Sequence, residues 1–192
     1  MRHNQPGISA LLLANGELDT AVLDLAAVLD GLVPDRFEII VVGEASCTSE
    51  AIAELRGRAP RLPLRGATES AEPRYELIFL AARDGQFDVR ELNHLLEAVE
   101  RGADVAAGYR PRRTDPLVRH LQRWGCRVDV DCAFALLRRA VWQCLGASGP
   151  RGLSCADLSS RARRLGFHVI ERPVSQRRPR IGVPDSPTGR AA

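Results

Sequence analysis

The sequence predicts an α/β fold in which a mostly parallel sheet is covered by helices. Three short apolar runs have the length of buried strands: Ile8 to Leu13, Phe37 to Val42 and Tyr75 to Leu80. Residues 17–32 and 88–101 instead carry apolar residues at helical spacing. Alternation of fully apolar strands with amphipathic helices is typical of parallel sheets, because such sheets are buried on both faces.

The segments that follow the first and second strands are predicted to contain one helix each, and the second helix is followed by a loop. The helix predicted over residues 17–32 has these apolar residues on one side: Leu18, Val22, Leu25, Ala26 and Leu29. After the second strand, Thr48 or Ser49 is predicted to cap a helix over residues 51–55. Residues 56–74 are rich in Pro and Gly, which predicts a loop with room for one short strand.

The segment that begins at Asp88 carries the clearest helical signals. Asp88 and Glu91 have capping-box spacing, and Gly102 is placed to end the helix in a left-handed conformation. Residues 103–107 are predicted to form a fourth strand. The apolar side of the helix is Leu92, Leu95, Leu96 and Val99.

A last helix and strand are predicted near the C terminus. Ser154 is expected to cap the helix, and Gly166 is expected to end it. Residues 167–170 follow as a strand whose regular pairing ends at Pro173. The inward-facing residues of the helix are expected to be Leu158, Ala162 and Leu165.

Length and composition predict one domain. The chain has 192 residues, of which 45% are hydrophobic, so we expect a single domain over residues 1–175 and a basic, flexible tail over 176–192. No apolar run approaches the ~18–20 residues of a membrane span, and no signal-peptide core follows Met1. A cytoplasmic protein, at most peripheral to the membrane, is therefore expected. Five scattered cysteines without a C-x-x-C pair argue against structural disulfides and a zinc cage.

The net charge of +3 is unevenly distributed along the chain. Residues 1–109 contain 10 Arg against 18 Asp and Glu, whereas residues 110–192 contain 17 Arg against 6. All 27 basic residues are Arg, which a GC-rich genome would explain. The basic second half also favours a phosphorylated ligand or an anionic membrane surface as a partner. A nucleic-acid partner is not expected.

The carboxyl ends of the predicted strands mark a candidate site, because ligands of open parallel sheets bind beyond those ends. The segments concerned are residues 14–17, 43–46, 82–86 and 108–110. We expect them to bring Glu17, Glu44, Asp84 and Arg110 near one another. The Cα atoms of Gly43 and Asp84 should then lie within roughly 10 Å, about two strand spacings.

Five segments carry sequence motifs in a characteristic order. Residues 75–88 read YELIFLAARDGQFD, a strand followed by an acidic loop, and the other four segments are residues 8–17, 38–46, 129–139 and 169–174. The first resembles FLTDGDGQFDP of family 2 glycosyltransferases, particularly the dolichol-phosphate mannosyltransferase-like branch. The others are similar to the ISVVIPAYNE, EIIVVDDGS, DVDCAFKLFRR and IVEVPV of that family. The resemblance implies a glycosyltransferase-A-type (nucleotide-diphospho-sugar transferase), Rossmann-like fold.

The same resemblance implies an activity and site residues. The family transfers a sugar from a nucleotide diphosphate donor, here to a polyprenyl phosphate or similar acceptor. Two carboxylates of the family hold Mg²⁺ or Mn²⁺, and Asp84 takes the place of the second. The residues implied in catalysis are Asp84, Arg110, Asp129 and Asp131. The residues implied to bind the nucleotide sugar are Ala14, Glu17, Glu44, Arg83 and Gln86.

The sequence departs from the family pattern at the metal and nucleotide positions. Ala82 replaces the first acid of the metal pair, and Arg83 follows it. Gly43 corresponds to the acid that recognises the nucleotide base, with Glu44 alongside. Because Mg²⁺ and Mn²⁺ need several oxygen ligands, we expect a weakened metal site at Asp84. A catalytically silent binding or regulatory module is therefore the alternative to a glycosyltransferase. An unrelated dinucleotide-binding protein is disfavoured, since no G-x-G-x-x-G follows the first strand.

Overall fold

A computed structural model shows a seven-stranded sheet with helices on both faces. The structure describes residues 6–13, 18–43, 45–67, 72–81, 87–109, 134–145 and 155–175. The strands are β1 (Ile8–Leu13), β2 (Phe37–Val42), β3 (Leu64–Ala67), β4 (Leu77–Ala81), β5 (Val105–Tyr109), β6 (Phe134–Arg138) and β7 (Val169–Pro173). The helices are α1 (Leu18–Leu32), α2 (Ala45–Arg58), α3 (Leu92–Glu100), α4 (Arg139–Cys144) and α5 (Cys155–Arg164), and a 3₁₀ turn (Val89–Glu91) precedes α3.

The strand order is β3-β2-β1-β4-β6-β5-β7. Strand β6 runs antiparallel to both of its neighbours, β4 and β5, while the other pairs are parallel. Leu12 is the register partner of both Val41 and Ala81, so β1, β2 and β4 end at the same side of the sheet. Strand β5 ends there too, because β6 reverses direction between it and β4. The predicted mostly parallel sheet is confirmed.

Two apolar layers cover the two faces of the sheet. On one face, α1, α2 and α3 pack over alternate strand residues such as Ala10, Ile39 and Phe79. On the other face, α4 and α5 contribute to the layer that contains Leu11 and Ile40. This alternation is the period of two expected of strands that are buried on both sides.

Helix α3 has the buried face that the sequence predicts, whereas Asp88 caps the 3₁₀ turn before it. The carboxylate of Asp88 accepts a hydrogen bond from the main-chain N–H of Arg90 at 3.1 Å, within the 3₁₀ turn that precedes the helix. Gly102 follows the helix with φ of 101°. The residues Leu92, Leu95, Leu96 and Val99 are all buried. The pattern therefore predicts the orientation and the end of this helix, but the α-helix begins at Leu92, four residues later than predicted, because residues 89–91 form the 3₁₀ turn.

The boundaries of three other strands and one helix differ from those predicted. Strands β4, β5 and β7 each begin two residues later than predicted. Helix α2 begins at Ala45 and ends at Arg58, so Thr48 and Ser49 lie within it instead of capping it. No Pro or Gly interrupts residues 45–56, so the helix can begin at Ala45, soon after β2 ends at Val42, although Thr48 and Ser49 favour caps.

Leu165 does not lie on the buried side of α5, contrary to the prediction. Its side chain is 55% exposed, whereas Leu158 and Ala162 are fully buried. The main-chain N–H of Leu165 donates to both Arg161 and Ala162, which tightens the last turn and takes Leu165 out of helical register. Phe167 packs against the apolar layer on that face of the sheet. Gly166, with φ of 85°, ends the helix as predicted.

The predicted cap at Ser154 and the predicted tail over residues 176–192 lie outside the described residues. Among the helices that the structure describes, none combines the length and hydrophobicity needed to cross a membrane.

Candidate functional site

The site predicted from the sequence begins at the side of the sheet where β1, β2, β4 and β5 end, which we call the carboxyl edge. The chain leaves β1 toward β2 on one side, and it leaves β4 toward β5 on the other side. The point at which neighbouring strands connect in opposite directions is where open α/β sheets bind ligands. Strands β1 and β4 are hydrogen-bonded neighbours through Leu12 and Ala81. The carboxyl edge between them is therefore the geometrically favoured ligand site.

The residues assigned to this site by sequence lie outside the described residues. They are Ala14, Glu17, Glu44, Arg83, Asp84, Gln86, Arg110, Asp129 and Asp131. The described residues that flank them do lie at the carboxyl edge: β1 ends at Leu13, β4 ends at Ala81, and β5 ends at Tyr109. The prediction that these strand ends open on one side of the sheet is confirmed. The distance between Gly43 and Asp84 stays a prediction.

Three phenylalanine rings lie beneath the carboxyl edge. The centroid of Phe134 lies 5.1 Å from that of Phe79, with the rings edge to face at 87°. The centroid of Phe87 lies 5.4 Å from that of Phe134. Each ring is at least nine-tenths buried. Aromatic pairs at these separations attract through their quadrupoles as well as through apolar burial. They form an apolar layer beside Ala81 and Phe87, the described residues on either side of residues 82–86.

Beyond β7, the chain is bonded to two other elements near the carboxyl edge. The main-chain N–H of Val174 donates to the carbonyl of Tyr109 at 2.9 Å, which extends the pairing of β5 with β7. The N–H of Ser175 donates to Oε2 of Glu91 at 2.7 Å. Glu91, which the sequence places in a capping box with Asp88, thus binds a segment distant in the chain. The last described residues therefore lie beside the candidate site.

A buried acid, Glu38, lies near the opposite end of the strands and was not singled out by the sequence. It accepts hydrogen bonds from the Ser9 hydroxyl at 2.8 Å, from Nε of Arg65 at 2.8 Å and from the main-chain N–H of Arg74 at 2.7 Å. Nη2 of Arg65 also donates to the carbonyl of Glu72. This cluster bonds β1, β2 and β3 to the segment that leads into β4.

The environment of Glu38 keeps its carboxyl ionised. Burial by itself would raise its pKa, but the hydrogen bonds from Arg65, from the Arg74 main chain and from Ser9 together outweigh burial and lower the pKa. The signal in the sequence is an acid within the apolar run of residues 37–42, since a buried carboxylate requires partners. Its distance from the carboxyl edge indicates a structural role.

The residues present offer little to a divalent cation. In the part of the chain that the structure describes, no three His, Cys, Asp or Glu side chains come together as a metal site. Residues 82–86, which follow β4, contain one carboxylate, Asp84, beside the cation Arg83. Mg²⁺ and Mn²⁺ bind several oxygen ligands, so this segment by itself does not fit a resident metal ion.

Comparison with known proteins identifies the fold. No protein-family model matches the chain, and no curated protein sequence matches it. The solved structure of a mannosyltransferase from Pyrobaculum calidifontis, in complex with GDP-Man and Mn²⁺, superposes over 89% of this chain with a TM-score of 0.62 and 16% identity. The fold is of the glycosyltransferase-A type. The chain spans about half of that mannosyltransferase, 56% of its length.

Two further structures share this glycosyltransferase-A-type fold. Glucosyl-3-phosphoglycerate synthase from Mycobacterium tuberculosis, in complex with phosphoglyceric acid, superposes over 93% of this chain and 73% of its own, with a TM-score of 0.62 and 16% identity. The 4-diphosphocytidyl-2C-methyl-D-erythritol synthase from Anaerococcus prevotii covers 92% of this chain and 90% of its own, with a TM-score of 0.53 and 14% identity. At these identities, the likeness shows the fold alone.

Proposed function

We propose that this protein binds a nucleotide diphosphate sugar at the carboxyl edge and transfers the sugar to an acceptor. The observation that carries the proposal is the convergence of β1, β2, β4 and β5 on one edge, where neighbouring strands connect in opposite directions. The fold is shared with a mannosyltransferase in complex with GDP-Man and Mn²⁺, and with a synthase whose complex holds Mn²⁺, UDP and glucosyl-3-phosphoglycerate. These likenesses support a nucleotide-sugar donor as the ligand.

In this proposal, each segment that follows a strand contacts a different part of the nucleotide sugar donor. Ala14 and Glu17 after β1, and Glu44 after β2, contact the nucleotide. Arg83 and Arg110 lie nearer the diphosphate, with Asp84 and Gln86 on the sugar side. Guanidinium groups suit this task, because their planar forks bind phosphate oxygens in pairs and remain charged at any physiological pH.

Transfer requires that the departing nucleotide diphosphate be stabilised as negative charge develops on it. The acceptor oxygen attacks the anomeric carbon, the bond to the diphosphate breaks, and Arg83 and Arg110 hold the leaving group. Where the acceptor is a polyprenyl phosphate, its oxygen is already anionic and no strong base is required. Asp129 and Asp131 then belong to the acceptor side of the site. The arginines of residues 110–192 would favour such an acceptor, and an anionic membrane surface, through their charge.

A second candidate function is a binding module that holds a nucleotide or another phosphorylated ligand without turnover. The observation that favours it is the loss of a metal-ligating residue after β4, where Ala82 replaces the first acid of the family's metal pair and Arg83 follows it. Gly43 likewise offers no side chain to the nucleotide base. Both functions place the ligand at the carboxyl edge, so turnover alone separates them.

Titration calorimetry with UDP-sugars, GDP-sugars and CTP tests ligand binding first. Binding of a nucleotide sugar that is weakened by Arg110→Ala, but not by Arg61→Ala on the exposed loop before β3, supports the proposed site. Nucleotide release from the bound donor in the presence of polyprenyl phosphate then distinguishes a transferase from a binding module. Binding of CTP in preference to every nucleotide sugar, or no binding by any of them, would reject the proposal.

A further inference from the structure

Phe134 contacts residues on both β4 and β5 next to the candidate site. Phe134 is the first residue of β6 and the register partner of Ala81, the last residue of β4. Its ring also contacts that of Phe87, where the chain returns after residues 82–86. Phe134 is 1% exposed and Phe87 is 4% exposed, so both rings are part of the core. Both ends of the segment after β4 thus meet the same residue.

The end of β5 packs against the same ring. A Cβ atom added to Gly108 would lie 3.0 Å from Cδ1 of Phe134, 3.1 Å from its carbonyl oxygen and 3.0 Å from Cγ1 of Val174. The backbone of β5 therefore lies so close to Phe134 that a side chain at position 108 would make unusually tight contacts. Arg110 follows this close contact by two residues. The position of Phe134 consequently affects the segments on both sides of β6.

We propose that Phe134 is a positioning residue that sets the separation between two segments, Ala81 with Phe87 beside β4 and Gly108 with Tyr109 at the end of β5, and through it the affinity for the donor. This inference rests on the proposed function, because it takes a nucleotide diphosphate sugar as the ligand held between these segments. Phe134 itself contributes no polar atom from its side chain and is too buried to take part in the chemistry. It acts through the segments it contacts.

The physical reason is that β6 lies between β4 and β5 in the sheet and pairs with both. A smaller side chain at position 134 leaves a void between Phe87 and Gly108, and the surrounding residues relax partway into it. A ligand that spans both segments is sensitive to such a shift, because its contacts to the two segments no longer fit together. For the reaction rate, a displacement of about 1 Å can cost about 100-fold when groups must align. Gly108→Ala perturbs the same contact by adding volume.

Phe134→Leu and Gly108→Ala are the test variants, and Phe37→Leu is the control. Phe37 is 7% exposed at the start of β2, so its replacement removes the same atoms from the core far from the carboxyl edge. We expect both test variants to weaken donor binding about tenfold by calorimetry, below their unfolding temperature. Phe37→Leu should leave the dissociation constant unchanged although it lowers stability similarly.

Amide hydrogen exchange without ligand gives a readout that does not depend on donor binding. Peptides spanning residues 81–88 and 105–110 should exchange faster in Phe134→Leu than in Phe37→Leu at matched stability. Exchange that is equal in the two variants overturns the inference, and so does equal donor affinity. If the unaltered protein binds no nucleotide sugar, the proposed function fails, and the exchange comparison alone then decides whether Phe134 positions these segments.

Discussion

The hydroxyl of Ser9 donates a hydrogen bond of 2.8 Å to Oε1 of Glu38, and both side chains are buried. The same hydroxyl oxygen accepts from the main-chain N–H of Tyr75 at 3.0 Å. Two neighbouring parallel strands are thus joined to the segment before β4 by one serine. Arg65 and Arg74 complete the arrangement around Glu38. The side of the sheet opposite the candidate site is fastened by polar contacts as well as by apolar packing.

Replacing Glu38 should change how stability depends on pH. The pKa of Glu38 is lower in the folded state than in the unfolded chain. The stability that this group contributes is therefore fully present above its unfolded pKa of about 4.3, and it is lost as the pH falls through the folded pKa. We expect the free energy of unfolding of the natural protein to decline on acidification below about pH 5, and that of Glu38→Gln to decline less steeply.

Chemical denaturation across pH 3 to pH 7 measures this difference. Glu54→Gln, at an exposed position of α2, is the matched control and should follow the natural protein. At pH 7, Glu38→Ala should cost about 3 kcal/mol, because it leaves the guanidinium of Arg65 without its buried partner. Parallel acid profiles for the natural protein and Glu38→Gln would contradict the assigned role.

Leu95→Ala should destabilise the protein by about 2–5 kcal/mol, since Leu95 is fully buried between α3 and the sheet. Leu165→Ala is the control at an exposed leucine, and its effect should stay within about 0.5 kcal/mol. Urea denaturation of both variants measures the two costs. A small effect at Leu95 would mean that α3 does not pack against the sheet as described.

Asp88→Ala should lower the free energy of unfolding by about 1 kcal/mol, because the Arg90 N–H loses its acceptor at the start of the 3₁₀ turn. Asp88→Asn retains an acceptor oxygen and should recover most of this loss. Thermal denaturation followed by circular dichroism compares the two variants. Equal losses in both would assign the effect to the charge of Asp88 instead of its cap.

Gly7→Ala should be strongly destabilising although it adds one methyl group. A Cβ at this position would lie 2.6 Å from the carbonyl oxygen of Arg36 and would overlap the ring of Tyr75. We expect a cost of about 1–3 kcal/mol from overpacking. Gly31→Ala, within α1 and with open space around it, should instead stabilise by about 0.5–1 kcal/mol. Chemical denaturation should show a lower midpoint than that of the natural protein for Gly7→Ala and a higher midpoint for Gly31→Ala.

Donor binding should be weak and largely independent of divalent metal, since Asp84 is the one carboxylate in residues 82–86 and Arg83 adds positive charge. Calorimetry with Mn²⁺ and with a chelator should give similar affinities. The double variant Ala82→Asp with Arg83→Gly should increase the dependence on Mn²⁺. Micromolar binding by the natural protein that vanishes on chelation would show that other ligands complete a metal site.

The part of the fold that the sequence predicts best is the part governed by local patterns. The runs 8–13 and 37–42 predict β1 and β2 to the residue, because strands buried on both faces are apolar almost throughout. The face of α3 follows from its apolar spacing. The common edge of β1, β2 and β4 follows from a rule of parallel sheets, so the place of the candidate site is predictable before its contacts are known.

Other features depend on contacts between residues far apart in the chain. Residues 134–138 form a short apolar run that periodicity cannot distinguish from a helix, and its antiparallel place between β4 and β5 is not a local property. The contact between Phe87 and Phe134 is unpredictable for the same reason. The burial of Glu38 is hard to predict because the residues on both sides of it are apolar and the run is interpreted as an apolar strand. Leu165 has the sequence spacing of a buried helical residue, but the last turn of α5 is tightened and its side chain is exposed.

The insertion of β6 between β4 and β5 has a consequence for how the protein is made. Strands β1 to β4 can pair once the chain has been synthesised as far as Ala81, whereas β5 and β7 join the sheet only through β6, which ends at Arg138. A nascent chain on the ribosome that stops short of β6 presents β4 as an open edge, which is the kind of surface that recruits strands from other chains. A premature stop before residue 134 is therefore expected to yield an aggregating fragment and not a smaller folded protein.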